Sequence, residues 1–171
     1  HDIEVIHGLT LGEMPWLDDK YQSHLNVSSF FLSPKANEAV QQGRANYIPC
    51  YTSEVPQLFS SGIIPIDLAL IQVTPPDKNG FCSFGAAVAS VQSACKSAKY
   101  VIAQISPKMP RTLGQSFIHI DDIDAVIHHE EKLPTYEAIE PSRLDLKIGR
   151  YVSLLIKNGA TIHSGIGRIP E

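Results

Sequence analysis

Apolar residues along the chain follow two rhythms, and the change between them marks the elements. Ile3-Glu-Val-Ile-His7 and Asn26-Val-Ser-Ser-Phe-Phe-Leu32 read as strands. Ser33-Pro34 then caps and opens a helix over 34–42 that Gly43 ends. Asn46-Tyr-Ile-Pro-Cys-Tyr51 is a short strand weakened by Pro49, and a short helix over 53–61 stops at Gly62. Ile66-Asp-Leu-Ala-Leu-Ile-Gln-Val73 is almost continuously apolar, and Tyr100-Val-Ile-Ala-Gln-Ile105 repeats the pattern. Such runs are expected in parallel strands buried on both faces.

Between these runs lie a loop of breakers, Thr74 to Gly80, and a helical spacing of Ala87, Val88, Val91, Ala94, Cys95 and Ala98 that predicts a helix over 85–97. Strand, loop, helix and strand make a βαβ unit. A strand over 124–129, a helix over 142–158 and a strand over 160–163 complete the order. The expected fold is α/β, an open and mostly parallel sheet flanked by helices with right-handed crossovers.

Composition narrows the function classes. With 171 residues, 43% hydrophobic and 19% charged, the chain can build one core with part of a neighbour attached. Its net charge of -4 and its scattered Lys and Arg leave no footprint for nucleic acid or an anionic membrane surface. No apolar run approaches the ~18 residues of a membrane-spanning helix. Cys50, Cys82 and Cys95 show no paired spacing and are expected as free thiols in a reducing, cytoplasmic compartment. A strand at each terminus suggests a segment of a longer protein.

In parallel α/β sheets ligands sit beyond the carboxyl ends of the strands. Three loops qualify: Thr74 to Gly85, Ser106 to Gly114, and Ser164-Gly-Ile-Gly-Arg-Ile-Pro170. In the last, Gly165 and Gly167 would let backbone N–H groups approach an anion, although a plain tight turn reads equally well. Lys108 and Arg111 stand in the second loop, where Arg111 offers a fork for a carboxylate or phosphate and otherwise reads as a surface arginine. Asp77 is expected to close an Asx-type turn with Gly80, and Ser83 to cap the following helix. A metal is not expected. His119 with its acidic neighbours and His128-His-Glu-Glu131 concentrate ligand types, yet adjacent strand residues such as His128 and His129 face opposite ways. No G-x-S-x-G nucleophile elbow occurs.

Taken in order, Ile66 to Ile71, Pro76-Asp-Lys-Asn-Gly-Phe-Cys-Ser-Phe-Gly85, Met109-Pro-Arg-Thr-Leu-Gly114, Ile118-His119, Ile148-Gly149 and Asn158 to Pro170 resemble the acetyl-CoA hydrolase/transferase family. Arg44 with Tyr47-Ile-Pro49 fits the same pattern, so the resemblance spans the chain. It implies residues 1–160 as most of an N-terminal CoA-transferase domain and 161–171 as the start of a second domain. It implies a glutamate that attacks an acyl-CoA, with Gly165, Ile166, Gly167, Arg168 and Ile169 contributing to the CoA-thioester site.

In the family that glutamate lies a short way beyond the glycine loop. Glu171 stands too near the glycines to match it, so no catalytic residue is assigned and the 171 residues alone are expected to be inactive. Acyl-CoA and a small carboxylic acid are the implied partners, in a homo-oligomer, with coenzyme A as substrate and no resident cofactor. Hydrolysis by the same intermediate and a non-catalytic CoA-binding module stay open as alternatives. Ser106-Pro107 and His163-Ser164 depart from the usual family residues and leave acyl specificity open.

Overall fold

The structure, a computed structural model, describes residues 3–135, 140–165 and 169. It forms two compact units divided between Pro134 and Thr135.

In the first unit, β1 (Ile3–His7), β2 (Leu25–Ser29) and β3 (Asn46–Tyr47) form a parallel sheet in that order. Helix α1 (Pro34–Gln41) begins where expected. Ser33 Oγ accepts the Ala36 N–H at 3.4 Å, and Pro34 occupies the first turn, where a missing N–H costs nothing. Ala36 and Ala39 bury against Val27, Leu17 and Met14.

Two strands are shorter than the apolar pattern suggests. β2 stops at Ser29 because its hydroxyl donates to the Phe31 carbonyl at 2.6 Å and accepts the Phe31 N–H, turning the chain out of the ladder. β3 stops at Tyr47, two residues before Pro49, which has no N–H to give. Helix α2 (Val55–Ser60) buries Val55 and Phe59, and Phe59 meets Phe30 edge-on at 5.9 Å.

The second sheet is also parallel, in the order β4 (Ile66–Val73), β6 (Ala98–Ile105), β8 (Ala125–His128). Between β4 and β6 come the short β5 (Phe81–Ser83) and α3 (Val91–Ser97), and β5 pairs antiparallel with β7 (Phe117–His119). The helix expected from residue 85 starts only at Val91, because Gly85 holds a left-handed φ of +62° and residues 86–90 turn. Ala69, Ile71 and Val73 of β4, Val101, Ala103 and Ile105 of β6, and Cys82, Phe84 and Ile118 make one buried cluster, with Val91 and Cys95 of α3 packed on it.

The expectation of burial on both faces fails here. Alternate residues of β4 and β6 point away from the cluster; Leu68, Leu70 and Tyr100 are exposed, and Ile102 is half-buried. Leu70 is 73% exposed and Tyr100 62%. Leu68 pairs with Tyr100 and Leu70 with Ile102 in register, so these side chains form a continuous apolar stripe.

In the second unit, α4 runs Arg143–Ser153, shorter than expected. A capping box starts it: Ser142 Oγ accepts the Asp145 N–H at 3.2 Å and Asp145 Oδ2 accepts the Ser142 N–H at 2.8 Å. Turns follow to Gly159, whose φ is +78°. Residues 160–163 do not form the expected strand; among the described residues they have no ladder partner, and a lone strand is not stable. Among the described residues no helix is long and apolar enough to cross a membrane.

The packing asymmetry of the β4–β6–β8 sheet is measurable by urea denaturation of this chain. Phe84→Ala, at 1% exposure, is expected to cost about 3–5 kcal/mol. Leu70→Ala is expected to stay within about 0.5 kcal/mol of the parent sequence.

Candidate functional site

Register decides where the loops meet. Val73 lies opposite Ile105, and Ile105 opposite His128, so three loops leave the same end of the sheet side by side. Their first residues are bonded across: the Ser106 N–H donates to the Val73 carbonyl at 2.9 Å and the His129 N–H to the Ile105 carbonyl at 3.1 Å. This is the carboxyl end of the strands, where parallel sheets bind ligands.

The first loop folds around Asp77. Its Oδ1 accepts the N–H groups of Asn79 (2.9 Å) and Phe81 (3.0 Å), and the Gly80 N–H donates to its carbonyl, the Asx-type turn expected from the sequence. Its Oδ2 takes Arg111 Nη2 at 2.6 Å. Arg111 Nη1 donates to the Phe81 carbonyl at 3.1 Å, and the guanidinium stacks 4.9 Å from the Phe117 ring centroid. Arg111 therefore spends its fork on the protein's own carboxylate and carbonyl. The reading of it as a fork for a substrate anion is corrected by that pairing.

Ser83 is likewise not a helix cap. Fully buried, it links the first loop to the second: Oγ accepts the N–H groups of Gly85 and Thr112, each at 3.1 Å, and donates to the Thr112 carbonyl at 3.1 Å. Thr112 Oγ1 donates to the Gly85 carbonyl at 2.8 Å, and Ser116 Oγ to the Thr112 carbonyl at 3.0 Å. Buried hydroxyls satisfied this fully stiffen what they join. Thr112 and Ser116 were not singled out from the sequence. Thr112 meets Ser83 29 residues away, beyond any local spacing, while the Ser116 hydroxyl bonds the nearby Thr112 and Leu113 carbonyls.

His119 closes the far side of the same loop. Its Nδ1 accepts the Asp121 N–H at 3.3 Å, so Nε2 carries the proton and donates to the Asn79 carbonyl at 3.0 Å. A Cβ on Gly80, whose φ is +83°, would run into this ring. Lys108 reaches Glu130 at 3.1 Å. Among the described residues no three His, Cys, Asp or Glu side chains are grouped to hold a metal.

A cleft of about 520 Å³ opens between α3 and the β5–β7 ribbon, lined by residues including Phe84, Cys95, Lys96, Phe117 and Asp122. Burial pushes the Cys95 thiol up to about 11, and the Cys82 thiol is also raised by burial, so neither supplies a thiolate near neutral pH.

Comparisons with known proteins decide the family. Residues 1–136 match the acetyl-CoA hydrolase/transferase N-terminal domain. The chain belongs to that family. A 4-hydroxybutyrate coenzyme A transferase from Clostridium kluyveri is 40% identical over 169 residues, 99% of this chain and 39% of the relative. A succinyl-CoA:acetate/propanoyl-CoA:succinate CoA transferase from Fasciola hepatica is 36% identical over 99% of this chain and 35% of its own length.

Among solved structures, the 4-hydroxybutyrate CoA-transferase from Porphyromonas gingivalis superposes with a TM-score of 0.74 at 30% identity, over 98% of this chain and 45% of that one. RipA from Yersinia pestis, at 21% identity and a TM-score of 0.83 over 98% of this chain and 48% of its own, shares the fold. The chain thus spans less than half the length of each of these relatives.

Of the glycine loop assigned by the family resemblance, Gly165 is exposed with open space where a Cβ would stand, and Ile169 is 45% exposed. Ile166, Gly167 and Arg168 lie outside the described residues.

Two measurements test the paired loops. The backbone N–H bonds from Phe81 and Asn79, and then the charge of Arg111, hold the Asp77 carboxyl below its ordinary value of 3.8. A depressed carboxyl contributes stability above its unfolded value and loses it as pH falls through the folded one. Asp77→Asn is therefore expected to flatten the acid limb of the stability profile below about pH 3.8 and to lower stability at neutral pH, read by denaturation across pH. Gly85→Ala places a methyl against the Met109 side chain and 3.0 Å from the Pro110 carbonyl, at a left-handed φ. It is expected to destabilise by more than about 1 kcal/mol, read by the same denaturation.

Proposed function

We propose that the protein carrying this chain transfers coenzyme A from an acyl-CoA to a small carboxylic acid. The observation that carries the reading is the 40% identity, over 99% of the chain, to a 4-hydroxybutyrate coenzyme A transferase. The ordered loops at the carboxyl end of β4, β6 and β8 are consistent with a ligand-binding end of the fold.

The chemistry follows from the acids involved. A glutamate carboxylate outside these 171 residues attacks the thioester carbonyl, the C–S bond breaks, and CoA leaves as thiolate. The thiolate attacks the glutamyl carbonyl of the resulting anhydride and releases the donor acid, which leaves an enzyme–CoA thioester. The acceptor carboxylate reverses the two steps. In this reading Gly165, Ile166, Gly167, Arg168 and Ile169 contribute to the CoA-thioester site, whose chemistry calls for stabilisation of a developing oxyanion. Coenzyme A enters as substrate and no resident cofactor takes part. The domain division at 160/161, a homo-oligomer and a cytoplasmic location belong to the same reading.

The family name favours one further reading, hydrolysis, in which water takes the place of the acceptor acid. The full protein incubated with acetyl-CoA and borohydride should yield one glutamate reduced to its alcohol, and acyl-CoA consumption should depend on added acid. An active enzyme with no reduced glutamate would overturn the mechanism. Consumption indifferent to the acid would assign hydrolysis. Transfer by the isolated 171 residues would contradict the placement of the nucleophile.

A further inference from the structure

The outer face of the β4–β6–β8 sheet takes no part in the loops described above. Register places Leu68, Leu70 and Gln72 of β4 beside Tyr100, Ile102 and Gln104 of β6, and Ala125 and Ile127 of β8 continue the rows. None of these positions carries a charge. Leu70 is 73% exposed, Tyr100 62% and Ile127 58%. Large apolar side chains in neighbouring rows of one sheet make a contact surface.

The edge of the same sheet carries a separate signal. Among the described residues β4 pairs with β6 alone, so every second N–H and C=O along it points away from the sheet. Edge strands are ordinarily blunted by proline, lysine, a bulge or short length. Ile66–Val73 is eight residues long, holds no proline or lysine, and keeps one register with β6 throughout. The opposite edge, β8, is four residues long.

Chain direction ties the edge to the face. The connections from β4 to β6 and from β6 to β8 step the same way across the sheet. Both lay their elements on the core side, where Cys82 of β5, Val91 and Cys95 of α3 and Ile118 of β7 pack. Crossovers between parallel strands are right-handed, so a connection stepping the other way, toward and past β4, carries its helix on the opposite face. Parallel sheets are covered on both faces by winding in both directions. The chain matches 39% and 35% of the length of two CoA-transferase relatives, so most of such a polypeptide lies outside the matched segment.

We propose that the polypeptide outside these 171 residues adds a parallel strand to the free edge of β4 and lays the accompanying amphipathic helix on Leu68, Leu70 and Tyr100. The inference concerns assembly, and it holds for transfer and hydrolysis alike.

The test uses the full-length protein. Tyr100 is replaced by the photoreactive p-benzoylphenylalanine, one aromatic side chain for another. Amide exchange over residues 66–73 is followed residue by residue in the unsubstituted protein, so it stays decisive if the variant folds poorly. Irradiation is expected to join position 100 to a peptide outside the 171 residues of the same polypeptide, at monomer mass on a denaturing gel. The β4 amides that point away from β6 are expected to exchange roughly a hundredfold or more slower than those of an open strand.

Adducts of twice the monomer mass assign the face to a second copy and overturn the proposal. Adducts to a peptide within the 171 residues overturn it as well. No adduct, or alternate β4 amides exchanging as in an open strand, leaves the surface in solvent and also overturns it. Each readout is independent of turnover, so an inactive protein would defeat the functional reading and leave this inference standing.

Discussion

The alignment of β4 with β6 is the constraint on which the rest depends. Seven registered pairs run from Ile66–Ala98 to Val73–Ile105 and bring two distant loops out of the sheet at one level. A slip by one residue would turn Ala69, Ile71 and Val73 out of the core and send Leu68 and Leu70 in. It would also part Asp77 from Arg111, because both hang from the ends of these strands. The small residues help to fix the register. Ala69 and Ala103 leave room for Phe84 and Ile118 to close over the sheet from the β5–β7 ribbon.

Above that register the polar groups are spent on one another. Asp77 binds two backbone N–H groups and one guanidinium, and Ser83, Thr112 and Ser116 satisfy the carbonyls and amides of both loops. This end of the unit is therefore a rigid support.

Some of this was legible in the sequence, and some was not. The apolar runs of β4 and β6 and the Ser33-Pro34 helix start are local patterns, and the fold class followed from them. The Asx turn at Asp77 was also local. The antiparallel ribbon was not legible: its strands are three residues long and pair Phe81 with His119. The partners of Ser83 and Arg111 lie 29 and 34 residues away, so a side chain that read as a helix cap and one that read as a surface arginine or an anion fork turned out to be joints between loops. The bare face of β4 and β6 escaped for another reason, since an apolar residue on a parallel strand reads the same whether or not anything lies over it. The glycine loop is assigned only by resemblance, because two glycines in a short loop specify a turn as readily as a binding site.

The distance in sequence between Asp77 and Arg111 has a consequence in time. Each of these contacts closes a loop of about thirty residues for the gain of a few polar bonds, so none of them can recruit the others early. β4, α3 and β6 must first assemble through their apolar faces. Only then do the two loops lie near enough for Ser83 and Arg111 to find their partners. The joint is a late latch on a core already formed, and disturbing it should speed unfolding more than it slows folding.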